Sequence, residues 1–306
     1  MKIRVLGSAA GGGFPQWNCS CRNCSGLRRG TVRAAARTQS SIAVAGRDGA
    51  AWALVNASPD ILAQLRSYPD LQPARALRDT AIAAIVLVDA QIDHTAGLMM
   101  LRESTRALAV WCTDSAYADL TGVNPVLTVL QHYCGVDRRR LDTAGGEFPV
   151  EGVAGVAWRA LAVAGKAAPY SPHRAAPQPG DNVALVLRDS ASGRTVVYAP
   201  GLSSMEPALW SALTRADCVL VDGTFWSEDE MIDQGLSRKR AREMGHLPLS
   251  GAGGMLEWLE KLPRATRRIL IHVNNSNPIL DEDSAQRAEL ERAGVEVACD
   301  GLEILL

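Results

Sequence analysis

The chain has 306 residues, and an apolar content of 47% is enough to bury a substantial core. A formal net charge of -1, without a basic stripe, argues against nucleic acid as a partner. No apolar run is long enough to span a membrane, and the N-terminal stretch Met1 to Leu6 is too short for a secretory signal. We therefore expect a cytoplasmic protein.

A glycine-rich loop, Gly7 to Gly13, follows the first predicted strand. Such loops can cradle a phosphate, but no Gly-Lys-Ser/Thr sequence follows and the dinucleotide-binding spacing is absent. We interpret the glycines as required where the loop passes close to another segment of backbone.

Three of the seven cysteines, Cys19, Cys21 and Cys24, are crowded into Cys-x-Cys-x-x-Cys spacing. A tight turn would bring their thiolates onto one tetrahedral ion, and soft sulfur ligands suit zinc. The alternative is a redox or chance cluster. No nearby Cys or His supplies a fourth ligand, so it must come from elsewhere in the chain. We expect the four scattered cysteines to be small core residues.

The apolar run Ile82 to Val88 predicts a buried parallel strand, and polar residues follow it at once. Asp89, Gln91, Asp93 and His94 fall within six residues. The ends of buried strands are where α/β proteins place their chemistry. The alternative is a helix-capping aspartate beside a surface histidine.

Apolar runs and turn residues predict the order of the remaining elements. Hairpins, a strand–helix unit, further hairpins and two more strand–helix units suggest two sheets sandwiched by helices, with a pseudo-repeat. No disordered linker divides the chain, so we expect one domain over residues 1–306. Residues 113–145 are predicted to contain a helical region, and His132 within them is expected to be structural or exposed.

Further polar clusters follow later predicted strands and loops. Asp222 follows one apolar strand and His272 follows another, while His246 stands in a Gly-His-Leu segment. The irregular stretch 164–180 contains His173, and long loops of this kind are often functional. Lys166 and Arg174 in the same loop could meet substrate carboxylates, but solvated loop charges are the favoured interpretation.

The layered order and the polar strand ends resemble the metallo-β-lactamase fold, an αββα four-layer sandwich of the α/β class. Asp89-Ala90-Gln91-Ile92-Asp93-His94 is similar to its His-x-His-x-Asp-His motif, with two histidines replaced. Three segments further resemble the coenzyme PQQ synthesis protein B family: Gly7 to Cys19, Tyr198 to Leu202, and His272 to Pro278.

The resemblance implies a role in pyrroloquinoline quinone (PQQ) biosynthesis. The implied substrates are O₂ and a cross-linked Glu-Tyr precursor, whose tyrosine ring is hydroxylated with iron, and other PQQ-pathway proteins are implied partners. An older role of the family is carriage of PQQ or its precursor toward the periplasm. In a related phosphodiesterase branch, a His three residues past the catalytic one completes the thiolate zinc site, and Asn275 stands at that position here.

The ligand set favours one metal ion over two. Hydrolytic relatives use the first two histidines of the motif for one of their metals, and Asp89 and Gln91 stand there instead. The remaining set, Asp93, His94 and His272, matches the facial triad of Fe(II) oxygenases.

Several residues are candidates for supporting this site. We expect Asp89, Gln91 and Asp222 to orient ligands, and His173 and His246 to move protons or hold substrate. Structural hydrogen bonding at strand ends is the alternative for each. A single-zinc hydrolase and a non-catalytic PQQ carrier remain as alternative functions.

Overall fold

The computed structural model describes residues 1–306, with strands in two seven-stranded sheets. The first half of the chain supplies β1 (Lys2–Gly7), β2 (Ser41–Ala45), β3 (Trp52–Val55), β4 (Ile82–Val86), β5 (Leu108–Cys112) and β6 (Val136–Arg140). The second half supplies β7 (Phe148–Pro149), β8 (Val156–Ala162), β9 (Val183–Asp189), β10 (Thr195–Ala199), β11 (Cys218–Asp222), β12 (Arg267–Ile271) and β13 (Val295–Val297). The last strand, β14 (Glu303–Leu305), returns to the first sheet.

The α-helices are short and lie between the strands. They are α1 (Arg22–Arg29), α2 (Ile61–Ser67), α3 (Ile92–Thr95), α4 (Asp114–Thr121), α5 (Val126–Leu130), α6 (Pro207–Leu213), α7 (Glu230–Asp233), α8 (Ala241–Met244), α9 (Met255–Glu260) and α10 (Ala285–Arg292). Three 3₁₀ helices span Pro69–Leu71, Ala96–Leu101 and Pro278–Leu280. None of these helices has the length and apolar character needed to cross a bilayer.

The two sheets repeat one pattern, as the predicted pseudo-repeat requires. Their strand orders are β14-β1-β2-β3-β4-β5-β6 and β13-β12-β11-β10-β9-β8-β7. Each sheet has an antiparallel part and a parallel part, and the parallel part is β3 to β6 in the first sheet and β10 to β13 in the second. The parallel strands β11 and β12 end at the same edge of the second sheet, and β4 of the first sheet ends close to them, so the polar residues that follow these three strands can meet.

Three apolar layers hold the sandwich together. The central layer joins the two sheets and includes Ile3, Ile42, Trp158 and Tyr198, all fully buried. A second layer packs helices on the first sheet around Leu54, and a third packs helices on the second sheet. This arrangement is the predicted αββα four-layer sandwich.

The helical region predicted within residues 113–145 is present, but a strand that the sequence did not suggest follows it. The segment contains α4 and α5, but Val136–Arg140 forms the edge strand β6, parallel to β5. Three arginines concealed this strand, since exposed edge strands use charged residues to resist further pairing. Arg138 and Arg140 both pair with Asp114 at the start of α4.

The glycine loop makes the close backbone approach expected of it. A Cβ on Gly7 would lie 2.1 Å from the Gln39 carbonyl oxygen, a separation that no side chain tolerates. A Cβ on Gly11 would lie 3.3 Å from Asp93 Oδ2. The loop therefore lies directly against the ends of the central strands.

Candidate metal centre

Three predicted ligands meet where β4 and β12 end. Asp93 and His94 lie on the single turn α3, while His272 follows β12. Asp93 Oδ2 is 3.3 Å from His272 Nε2 and 3.8 Å from His94 Nε2. His272 has a φ of 61°, a left-handed conformation that is rare outside glycine and often found at functional sites.

These three residues fit a metal ion. Their ligand atoms all lie within 4.8 Å of one another. His94 Nε2 is buried and has no hydrogen-bond partner, although buried polar atoms are nearly always paired. An ion between the three side chains would satisfy this nitrogen. Two imidazoles and one carboxylate also leave coordination positions open.

Asp89 orients His94 from behind. Its two carboxylate oxygens lie 2.8 and 2.9 Å from His94 Nδ1, so the Nδ1–H is donated to Asp89 and Nε2 faces the cluster. Burial acts to lower the pKa of His94, but the Asp89 and Asp93 carboxylates outweigh it and raise this pKa to about 9. Burial likewise opposes ionisation of Asp93, yet His94 and His272 hold the pKa of its carboxyl below the usual range.

Thr224 contacts the Nδ1 atom of His272, as Asp89 contacts the Nδ1 atom of His94. Its hydroxyl oxygen lies 2.8 Å from His272 Nδ1, 2.6 Å from Asp222 Oδ1 and 3.1 Å from His246 Nδ1. It follows β11 by two residues, in a turn where its own amide donates to Asp222. Sequence reasoning missed Thr224, because a threonine two residues after a strand-end aspartate is ordinarily only a turn residue.

Asp222 has its oxygens fully engaged. Oδ1 accepts hydrogen bonds from the amide and hydroxyl of Thr224, and Oδ2 accepts from the Leu202 amide and contacts His246 Nδ1 at 2.8 Å. Asp222, His246 and His272 also form a compact group of potential ligands. Because no lone pair of Asp222 is free, this group is better suited to orienting His246 than to holding a second ion.

His246 stands at the side of the cluster. Its ring stacks on that of His272 with centroids 5.4 Å apart, and its side chain is 20% exposed. Burial opposes protonation, but the Asp222 carboxylate raises the pKa of His246 above its ordinary value. With Nδ1 turned toward Asp222, Nε2 is available to a bound molecule.

The cluster lies in a cavity of about 250 Å³. Asp89, Asp93, His94, His246 and His272 are in its wall, together with Ala10, Gly11, Gln91, Lys166, Pro169, Arg174, Asn182, Gly201, Thr224, Phe225, Met244, Gly245 and Asn274. Another cavity, of about 430 Å³, lies near Leu62 and Met100 and has no cluster of metal-binding groups. We take the smaller cavity as the site because its polar groups converge.

The structure does not bring His173 into this cluster. His173 Nδ1 lies 3.0 Å from Asp181 Oδ1 and 3.2 Å from Ser115 Oγ, its side chain is 35% exposed, and it does not line the cavity. Gln91 does line the cavity, but its amide donates to the Lys166 carbonyl. Lys166 and Arg174, for which solvated loop charges were the favoured interpretation, are half-buried and line the cavity. His132 is exposed, as expected. Of the four scattered cysteines expected in the core, Cys112 and Cys218 are buried, but the expectation is wrong for Cys134, which is half-buried, and for Cys299, which is exposed.

The three crowded cysteines form a second cluster. Their sulfur atoms lie within 4.8 Å of one another, and no disulfide joins them. Asn275 places its side-chain amide among them, with Nδ2 3.1 Å from Cys19 Sγ and 3.4 Å from Cys24 Sγ. Burial raises the pKa of the Cys21 thiol to about 11. The hydrogen bonds around Cys19, by contrast, lower the pKa of its thiol in spite of burial.

Comparisons with known proteins agree with this architecture. The model of the Beta-lactamase superfamily domain matches residues 51–273. The coenzyme PQQ synthesis protein B of Azoarcus sp. (strain BH72) is 63% identical over 306 residues, covering all of both chains. That of Methylobacillus flagellatus is 55% identical, again over both full chains.

Solved structures give the same result. The crystal structure of Zn²⁺-bound PqqB from Methylobacterium extorquens superposes with a TM-score of 0.89 at 35% identity, covering all of both chains. A diphosphatase of the PhnP family shares the fold, with a TM-score of 0.66 at 17% identity over 99% of this chain and 96% of that one. The chain therefore belongs to the coenzyme PQQ synthesis protein B family, within the β-lactamase superfamily, and takes part in PQQ biosynthesis.

Proposed function

We propose that this protein is an Fe(II)- and O₂-dependent hydroxylase that acts on the tyrosine ring of a cross-linked Glu-Tyr precursor of PQQ. Asp93, His94 and His272 would hold one Fe(II) ion. The observation that carries the proposal is the convergence of these three side chains around the buried, unpartnered Nε2 of His94. Such a set leaves room for both O₂ and substrate.

The reaction has a simple balance. One oxygen atom replaces a ring hydrogen as a hydroxyl group, and the other leaves as water. This consumes two protons and two electrons, which a reductant such as ascorbate can supply in an assay. Iron, when bound, supplies the activation of O₂.

The protein's own residues would prepare the site and manage protons. Asp89 and Thr224 fix the tautomers of His94 and His272, so that each presents Nε2 to the ion. His246 is held through Nδ1 by Asp222 and lines the cavity. It would hold or release a proton at Nε2 as the ring hydroxyl changes its charge.

A second metal would be structural. We propose that Cys19, Cys21 and Cys24 bind zinc, with Asn275 as the fourth residue of that site. Three thiolates suit zinc in type and number. The side-chain amide of Asn275 lies beside Cys19 Sγ and Cys24 Sγ, which supports this choice, although its oxygen would have to turn toward the ion.

A single-zinc hydrolase is the second candidate, favoured by the Zn²⁺-bound relative. The thiolate cluster offers another place for zinc, so that finding does not decide the metal at Asp93. Two-metal hydrolysis is disfavoured because Asp89 turns to His94 and Gln91 to the Lys166 carbonyl. The third candidate, a carrier, would bind PQQ in the same cavity without converting a precursor.

Metal dependence of O₂ consumption separates these functions. Protein loaded anaerobically with Fe(II) is mixed with the Glu-Tyr compound, ascorbate and O₂, beside a Zn²⁺-loaded sample. If the protein is a hydroxylase, only the iron-loaded sample should consume O₂. Its product should be 16 mass units heavier than the substrate, the mass of one oxygen atom. Conversion of substrate by the zinc sample without O₂ uptake would favour the hydrolase, and PQQ binding without conversion would favour the carrier.

A further inference from the structure

Two cationic side chains in the cavity wall lack a carboxylate partner. Lys166 and Arg174 line the cavity beside the metal-binding cluster. Neither forms a salt bridge, although both are only partly exposed. The Arg174 guanidinium donates one hydrogen bond, to the Ala167 carbonyl, which leaves most of its five donors free.

The loop that carries them is fixed to the metal-binding edge. Gln91 Nε2 donates to the Lys166 carbonyl at 3.2 Å, and Gly245 packs against the Lys166 stem, where a Cβ would lie 3.1 Å from Lys166 Cβ. The Tyr170 hydroxyl donates to the Ala90 carbonyl. The backbone beneath the two cations is therefore held in place before anything binds, which lowers the entropic cost of binding.

The acidic groups of the cavity do not neutralise these cations. Asp89 is engaged by His94, and Asp93 faces His94 and His272. A molecule bound beside the cluster would therefore meet an ammonium and a guanidinium group. Carboxylates are the natural partner of both, and a guanidinium binds them through two parallel hydrogen bonds.

We propose that Lys166 and Arg174 form a carboxylate clamp that selects a substrate with several carboxylates and directs its ring toward Asp93, His94 and His272. This inference rests on the proposed function, because the cross-linked Glu-Tyr compound carries three carboxylates. The clamp determines specificity through binding and makes no contact with the reacting oxygen.

Binding to Zn²⁺-loaded protein, without iron or reductant, tests the clamp apart from hydroxylation. The probes are the cross-linked Glu-Tyr compound and its trimethyl ester, titrated by calorimetry into wild type, Lys166→Met and Arg174→Met. Lys239→Met is the matched control, since Lys239 is exposed and makes no ion pair. Circular dichroism checks that each variant is folded.

Each clamp substitution should weaken binding of the triacid by about 10–100-fold, the effect of losing one charge-assisted hydrogen bond. Lys166→Arg should retain most of the affinity. The triester should bind weakly to every variant, and the control should bind the triacid as wild type does. Equal affinity of wild type and both clamp variants, or no binding by wild type, would overturn the clamp. If the clamp substitutions weaken triacid binding as expected but the iron-loaded wild type does not hydroxylate the compound, the proposed function is refuted and the clamp is not.

Discussion

Replacing Asp89 by Asn should weaken metal binding at the triad without touching a proposed ligand. Both carboxylate oxygens of Asp89 lie within 2.9 Å of His94 Nδ1, and Oδ1 also accepts a hydrogen bond from the backbone N–H of Gln91. An asparagine would turn an NH₂ group toward the imidazole N–H. The other tautomer of His94, with its proton on Nε2, would then be favoured, and that proton lies where the ion binds.

The expected loss follows from the bond that is removed. A hydrogen bond to a charged group contributes about 1.5–3 kcal/mol, which corresponds to an affinity about 10–100-fold weaker. The loss should be largest near pH 9. At pH 7 a metal ion binding to wild type must also displace a proton from His94, whose pKa is about 9. The Asp89→Asn substitution removes a negative charge that raises this pKa, so the proton competes less strongly with the metal ion in the variant.

The same shift determines how the metal-free fold responds to pH. The pKa of His94 is raised from 6.5 to about 9. Its protonation therefore stabilises the fold fully below pH 6.5, and this contribution is lost as the pH rises through about 9. In Asp89→Asn, unfolding stability measured by urea titration should fall less steeply with pH over this window.

Co²⁺ titration at pH 7 and pH 9 is the assay, since thiolate-bound and nitrogen-bound Co²⁺ absorb at different wavelengths. Asp181→Asn is the matched control, because Asp181 contacts His173 Nδ1 at 3.0 Å outside the cavity. Wild-type affinity of Asp89→Asn at pH 9, or an equal loss in Asp181→Asn, would refute the reasoning.

Three further predictions test other parts of the account. Cys21→Ser should lose the zinc of the thiolate cluster, measured by elemental analysis, and should unfold at a lower temperature. Cys299→Ser, at an exposed position, should do neither. Unchanged zinc content in Cys21→Ser would contradict the proposed zinc site. Thr224→Val keeps the side-chain shape but cannot form the hydrogen bond to His272 Nδ1, so it should weaken Co²⁺ binding by about tenfold. Thr224→Ser keeps the hydroxyl group and should bind Co²⁺ as wild type does. Equal Co²⁺ affinity of Thr224→Val and wild type would show that Thr224 does not support the site. His173→Ala should keep iron binding and hydroxylation near wild type, since His173 lies outside the cavity, and a large loss in oxygen uptake would return it to the mechanism.

The fold could be predicted because local patterns and global packing agree. Apolar runs such as Ile82 to Val88 are buried on both faces, and turn residues separate them, so strands and their order follow from the sequence. The polar residues directly after those runs lie at the ends of parallel strands. Asp93, His94 and His272 could be grouped for this reason, although nearly 180 residues separate the first from the last.

The remaining features depend on tertiary contacts that no local pattern encodes. The edge strand β6 has an arginine-rich sequence, and its strand character comes from pairing with β5. Thr224 gains its role only because β11 and β12 lie side by side. Gln91 and Gly245 contact Lys166, and both lie near it only in the folded chain. The Arg174 guanidinium is directed by its hydrogen bond to the Ala167 carbonyl.

Incorporation of ¹⁸O from ¹⁸O₂ during a single turnover tests the central claim most directly. Protein reconstituted with one equivalent of Fe(II) is mixed with the Glu-Tyr compound, ascorbate and ¹⁸O₂, and the product is weighed by mass spectrometry. The matched pair is His272→Ala, which removes a proposed ligand, and His132→Ala, which removes an exposed histidine. The account predicts one ¹⁸O atom in the ring for wild type and His132→Ala, and none for His272→Ala, whose thiolate zinc remains. Labelled product from His272→Ala at the wild-type rate would contradict it, as would a wild-type product whose added oxygen comes from water.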